Sequence, residues 1–528
     1  MPVQQPAGQN KGDPTARSSN KISSSMAPIK AAAFGYDHAR HLLWRAGFGG
    51  TPEQIQTLVG WGPEKSVDYL LDVDKIPYEE VKLDQFDKSI IRPPSPEEQA
   101  KARAARQSQN EEAVARLRVM QQERETRDRE QAKQMQQWWL RRMIETPRPL
   151  EEKMTLFWHG HFATSFRTVE NSYHMFLQNN LFRKHGGSGG NFGDLLYAII
   201  RDPAMLKYLN NNESRKGHPN ENLAREIMEL FSLGLGSYTE TDIKEGARAL
   251  TGYTFYDDEF QFQKNNHDTG NKNILGSSGN FDGDGFVKTI LETKACSRYV
   301  ARKLYKYFVA DIPPLEATDN DRTLDPAMRA AIQDLATTLS ANKYAIRPVL
   351  RRMFLSEHFY DAKIRGQQIK SPVQLVVGAI RSLNTPVRSL SLLNDALDLM
   401  GQNILMPPSV KGWDGGRSWI NTSTLYVRQN IMAFLLTGKK PQGYDAMANQ
   451  EKFDPQPLLS ELAKADPGAE KDATKVGEFL LKLTLGRAPD DAKVILSDFA
   501  KSLGTGVTND LVTGMLLLIT AMPEYQLC

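Results

Sequence analysis

Three stretches of this chain carry side chains suited to acid–base or metal chemistry. Residues 157–162 read Phe-Trp-His-Gly-His-Phe, with His159 and His161 flanking a glycine. Residues 218–230 read His-Pro-Asn-Glu-Asn-Leu-Ala-Arg-Glu-Ile-Met-Glu-Leu. His267 and Asp268 form the third. Imidazoles together with carboxylates are what zinc, manganese and iron sites use. His159, His161, His218, Glu221 and His267 are therefore the candidate ligands of a divalent metal. Glu226 and Glu229, with Arg225, are the candidate acid–base groups, or the groups that orient a ligand. An extended or turning backbone at Gly160 would bring both neighbouring imidazoles to one side. No segment has the spacing of a helical zinc protease, so the ligand set is not fixed. A buried polar network uses the same residue types, and a histidine beside Trp and Phe also suits a hydrogen-bonded core position.

The element that must position most of these groups is a helix over residues 219–231. Pro219 suits a first helical position, and no glycine follows until Gly234. On a wheel of about 100° per residue, Asn222, Arg225, Glu226 and Glu229 share one narrow strip. Leu223, Ile227 and Leu230 make one apolar stripe, and Ala224, Met228 and Phe231 its neighbour. A helix apolar over so much of its circumference predicts that its polar strip is covered.

Three loops carry further signals. Residues 412–421 read Gly-Trp-Asp-Gly-Gly-Arg-Ser-Trp-Ile-Asn. Trp413, Arg417 and Trp419 could take a planar or sugar-like ligand by stacking, or plug a helix bundle. Residues 280–287 begin like a calcium loop, but position twelve is Leu291 rather than a carboxylate, which favours a helix-capping turn. The glycine-rich run 185–193 has no preceding strand and no Lys-Ser/Thr after it, so it reads as a turn rather than a phosphate loop.

The remaining sequence is predominantly helical. Apart from a short hairpin at about 252–263, around Asp257-Asp258, its patterns carry the period of helices. The expected class is mainly α, a multi-helix globular core. Ser95-Pro96-Glu97-Glu98 opens a stretch without Gly or Pro up to Thr146, dense in charge and poor in apolar residues before Trp138. It reads as a long charged helical insertion over about 95–137, a solvated arm or hairpin, with a partner-binding coiled coil as the other possibility. Residues 1–34 are expected to be a disordered tail, 35–437 the main helical domain, and 438–528 a linker and terminal helical unit packing on it. A net charge of +3 gives no argument for nucleic acid or an anionic membrane. Two cysteines exclude a disulfide scaffold. No apolar run is long enough to span a membrane. The lack of a signal-peptide pattern makes a cytoplasmic location the expectation.

Residues 41–49, the Phe-Trp-His-Gly-His-Phe segment, residues 218–230, 279–284, 301–304 and the tryptophan loop occur in an order that resembles the bacterial family called domain of unknown function 1800. The resemblance implies a mostly helical fold and no established activity. It also implies that similar proteins are often exported and sit beside a sulfatase-like partner, and that many carry His where this chain has Phe231. Two functions follow as expectations. One is a metal-dependent enzyme, hydrolase-like by default, whose cofactor would be a divalent metal. The other is a non-catalytic helical scaffold that binds a partner protein, in this family a sulfatase-like one.

Overall fold

Helix starts in this chain are fixed locally. Thr51, Ser95, Thr239 and Ser371 each accept a hydrogen bond from the backbone three residues on, and Gln54, Glu98, Asp242 and Gln374 return one. These reciprocal caps satisfy backbone donors that a helix leaves open. The computed structural model describes residues 21–83, 86–314, 321–441, 450–504 and 506–528. Among them are 22 α-helices and two short antiparallel ladders, so the protein is mainly α. No described helix is long and apolar enough to cross a membrane.

The hairpin pairs Tyr253–Tyr256 with Glu259–Phe262 in the register expected of a turn at Asp257-Asp258. A second ladder pairs Lys272–Ile274 with Ser277–Gly279. Its second strand is Ser-Ser-Gly, without the alternation that marks a strand, so the sequence did not announce it.

The buried centre is the Pro149–His161 helix. All of its residues but Gly160 are buried, including Glu151, Glu152 and Lys153. The Ser172–Gly186 helix and the last turns of the Glu111–Glu145 helix pack against it. Trp139 Nε1 donates to Glu152 at 2.9 Å, and Arg183 donates to both oxygens of the same carboxylate at 2.9 and 3.0 Å. The charged insertion is a helical hairpin of Pro96–Gln107 and the first half of Glu111–Glu145. Glu98 ties it together through Arg92 at 2.9 Å and Arg124 at 2.6 Å.

The end of the chain lies along the middle of it. Cys528 N donates to Gln368 O at 2.9 Å, and Lys370 N to Gln526 O at 2.8 Å. The Asn509–Ala521 helix packs on Thr422–Thr437.

The expected disordered tail needs correcting. Residues 1–20 lie outside the described residues, but 21–34 pack. Met26, Ile29 and Phe34 are buried, and Ile29 N donates to Leu355 O at 2.7 Å. Ser23 N donates to Asp361 at 2.8 Å. Three apolar side chains spaced among polar ones are too few to give a pattern, yet each finds a slot on the core. Phe34 stands edge-on to Tyr360, ring centres 5.7 Å apart. Phe34→Ala is expected to cost about 3 kcal/mol in urea unfolding; an unchanged midpoint would show that this segment contributes nothing.

Candidate ligand site

The helix around Asn222 departs from its expected form at both ends. It begins at Asn222 rather than Pro219, because Asn220 Oδ1 accepts from Asn222 N at 2.9 Å and holds the preceding residues in a turn. His218 and Pro219 lie exposed in that turn. After Glu226 the chain widens into a π-helical segment, Ile227–Ser232. Such segments loosen the carbonyl ladder and recur at functional sites. Here Tyr299 Oη donates to Leu230 O at 2.8 Å, and His161 Nε2 donates to Phe231 O at 2.9 Å.

The polar strip is half-buried, but its pairing is not the expected one. Arg225 binds Glu221 at 3.2 Å and Glu240 at 2.9 Å, not Glu226. Glu229 accepts from Tyr238 Oη at 2.5 Å. Glu226 has no hydrogen-bond partner among the described residues. Burial, and then the neighbouring Glu229 charge, push its carboxyl up to about 7.

Apart from the exposed His218, the candidate metal ligands each have a partner of their own. The backbone at Gly160 is helical, so His159 and His161 point about 200° apart rather than to one side. His159 Nε2 accepts from Leu405 N at 3.1 Å, between the rings of Trp139 and Trp413. Leu405 is a buried non-glycine residue with φ +66°, and this bond helps hold it there. His267 Nδ1 donates to Thr251 O at 2.9 Å, while Asp268 is held by Arg248 at 2.8 Å. Among the described residues no three His, Cys, Asp or Glu side chains are grouped to hold one ion.

The structure instead joins two motifs that lie 250 residues apart in sequence. The His-Gly-His turn and the tryptophan loop meet and together line a cleft of about 170 Å³. His161, Trp413 and Trp419 line it, with Lys303, Lys306 and Lys411. Arg417 is exposed and lies outside the lining. Gly412, with φ +79°, meets Gly160 backbone to backbone; a Cβ there would lie 2.0 Å from Gly160 O. Lys306 Nζ donates to Asp414 O at 3.2 Å and pairs with Asp311 at 3.8 Å. Lys411 pairs with Asp414 at 2.7 Å.

Two groups in the cleft are left without partners. Lys303 Nζ sits 5.2 Å over the Tyr299 ring with no carboxylate among the described residues. Burial, then Lys306, Arg302 and Lys411, push its amine down to about 8. His161 gives its Nε2 proton to Phe231 O, so Nδ1 presents a lone pair, and that atom is buried with no partner. Burial, and then Lys303, push this imidazole down to about 3, so it is neutral at neutral pH. The arrangement offers one uncompensated cation, one bare acceptor and two indole walls. Sequence reasoning missed the lysines. Residues 301–304 carried the family resemblance, but nothing in their spacing marks Lys303 as the unpaired one.

These features describe a mainly helical protein with a basic, tryptophan-walled cleft. The family model described as "Protein of unknown function (DUF1800)" matches residues 41–527, and the chain belongs to that family. No curated protein and no solved structure matches the chain.

Two outcomes follow for the candidate residues. His159→Phe keeps the ring but orphans the Leu405 N–H, and is expected to cost about 1–3 kcal/mol in urea unfolding; a neutral substitution would free His159 for another role. Glu226 has a folded carboxyl value above its unfolded one, so its ionised form destabilises the fold. That penalty is absent below the ordinary carboxyl value, grows up to about pH 7 and is constant above it. Glu226→Gln should therefore raise the unfolding midpoint at pH 8 and leave it nearly unchanged at pH 4. Equal effects at both values would show that the carboxyl is not perturbed.

Proposed function

We propose that this protein binds a small anionic, ring-bearing ligand in the cleft between the His-Gly-His turn and the tryptophan loop. The observation that carries this reading is Lys303, half-buried, facing the cleft, and without a counter-ion among the described residues. A buried charge without a partner is costly, and an anionic ligand would supply the partner. Trp413 and Trp419 suit the face of a sugar or flat ring, and His161 Nδ1 suits a ligand hydroxyl.

The metal-dependent hydrolase has less support, because the described residues group no three His, Cys, Asp or Glu side chains around one point, and His159 spends its acceptor nitrogen on Leu405 N. Partner binding through the arm, with a sulfatase-like protein as the family resemblance suggests, draws on Val119 and Met120, which are 52% and 48% exposed. The cleft is the more specific feature.

Calorimetric titration with glucose 6-phosphate, glucose and inorganic phosphate tests the proposal. The sugar phosphate should bind more tightly than either fragment, and Lys303→Met should weaken it by about tenfold, roughly 1.4 kcal/mol. The neutral amine binds an anion poorly, so affinity should be full below about pH 8 and fall above it. Equal affinity in wild type and Lys303→Met would sink the reading. Treatment with EDTA should leave the affinity unchanged; a loss that zinc restores would favour the metal enzyme.

A further inference from the structure

We infer that Lys303 is a nucleophilic amine, and that the cleft's ligand class is a small anion bearing an aldehyde or ketone, held on Nζ as an imine. The inference rests on the reading that the cleft takes a small anionic ligand, and it adds a covalent step to it.

The three lysines of the cleft are not equivalent. Lys306 and Lys411 have carboxylates at 3.8 and 2.7 Å. Lys303 has none, and its nearest described partner is the face of Tyr299. Arg302, Lys306 and Lys411 surround it with like charge. A lysine that is desolvated and placed beside other cations gives up its proton more readily, which is how enzymes make an amine attack a carbonyl at neutral pH. At about pH 8 half of Lys303 carries a free lone pair.

Access separates Lys303 from a second perturbed lysine. Burial pushes Lys153 down to about 7, but its Nζ lies 4.9 Å over the Phe48 ring, the residue is fully buried, and it does not line the cleft. Lys303 does line it, as does the tryptophan loop.

The step balances without an oxidant or reductant. The Nζ lone pair adds to the carbonyl carbon. The amine's two protons pass to the carbonyl oxygen, which leaves as water, and a C=N bond replaces the C=O bond. His161 lines the same cleft as a neutral ring, its Nδ1 buried and without a partner.

Pyridoxal 5′-phosphate is a probe with all the required parts: a ring, an anionic group and an aldehyde. Pyridoxine 5′-phosphate has the same ring and charge but no carbonyl. The full-length protein is incubated with less than one equivalent of the aldehyde, reduced with borohydride, digested and mapped by mass. The label should fall on Lys303 at least tenfold more than on Lys306, Lys411 or any exposed lysine. Lys303→Arg keeps the charge and should lose the label while still binding the alcohol analogue. A melting curve of Lys303→Arg checks that it folds, and Lys303→Met serves in its place if it does not. Label spread evenly over the lysines, or unchanged in the variants, overturns the inference. If the alcohol analogue binds through Lys303 but no imine is trapped there, the covalent step fails and the binding reading stands. If the label falls on Lys303 while the analogue does not bind, the amine is reactive and the anion-binding reading fails.

Discussion

One buried carboxylate holds the centre of this fold together. Glu152 is wholly inaccessible, and an ionised carboxylate there is stable only if nearly all its lone pairs are used. Arg142 and Arg183 and the Trp139 indole use them. Burial alone would push the Glu152 carboxyl up; the two guanidiniums outweigh it and hold the carboxyl below its ordinary value. The three donors come from two helices, Glu111–Glu145 and Ser172–Gly186, so both must dock on Pro149–His161 in one register. The charged arm is thus the outer end of a helix whose inner end is pinned by a charge. Because the Pro149–His161 helix is fixed in this way, its last turn can present His159 to one side and His161 to the other.

The cleft then depends on how closely two backbones approach. Gly160 and Gly412 touch without side chains, and this lets Trp413 reach over the histidine turn, its ring 5.6 Å from that of His159. The π-helical segment lies behind the cleft rather than on its lining, and is joined to it through His161. Its widened turn leaves the carbonyls of Leu230 and Phe231 open, and Tyr299 and His161 occupy them. The same tyrosine supports Lys303 from below. A wide turn in one helix therefore sets the tautomer of the cleft's histidine and the floor under its lysine.

Much of this was legible before any coordinates. Caps such as Thr51-Pro52 and Ser95-Pro96, the hairpin at Asp257-Asp258 and the helical class all follow from local chemistry, and local chemistry survives folding. The tryptophan loop and the His-Gly-His turn also stood out as unusual residues. What the sequence could not carry was their meeting, since nothing in either stretch specifies a contact 250 residues away. Nor could it tell which atoms the histidines satisfy. His159, His161 and His267 are each matched to a backbone group, and a backbone group has no letter in the sequence. The packed segment 21–34 was missed for a related reason: Met26, Ile29 and Phe34 are anchors on an existing surface, not a periodic face of their own.

The chemistry of the site turns on which charges fold without compensation. Glu152, Arg248, Lys306 and Lys411 all lie in pairs or networks, and such groups are spoken for. His159 and His161 are neutral because burial forbids their charged forms. Glu226 remains a partly buried acid poised near neutrality, on the strip where the sequence placed it. It adjoins the π-helical segment, whose carbonyls accept from Tyr299 and His161. Of the three lysines that line the cleft, Lys303 is the one without a carboxylate partner among the described residues. A protein tolerates such a group when something outside the chain completes it, and the indole walls beside it set the shape of what that is.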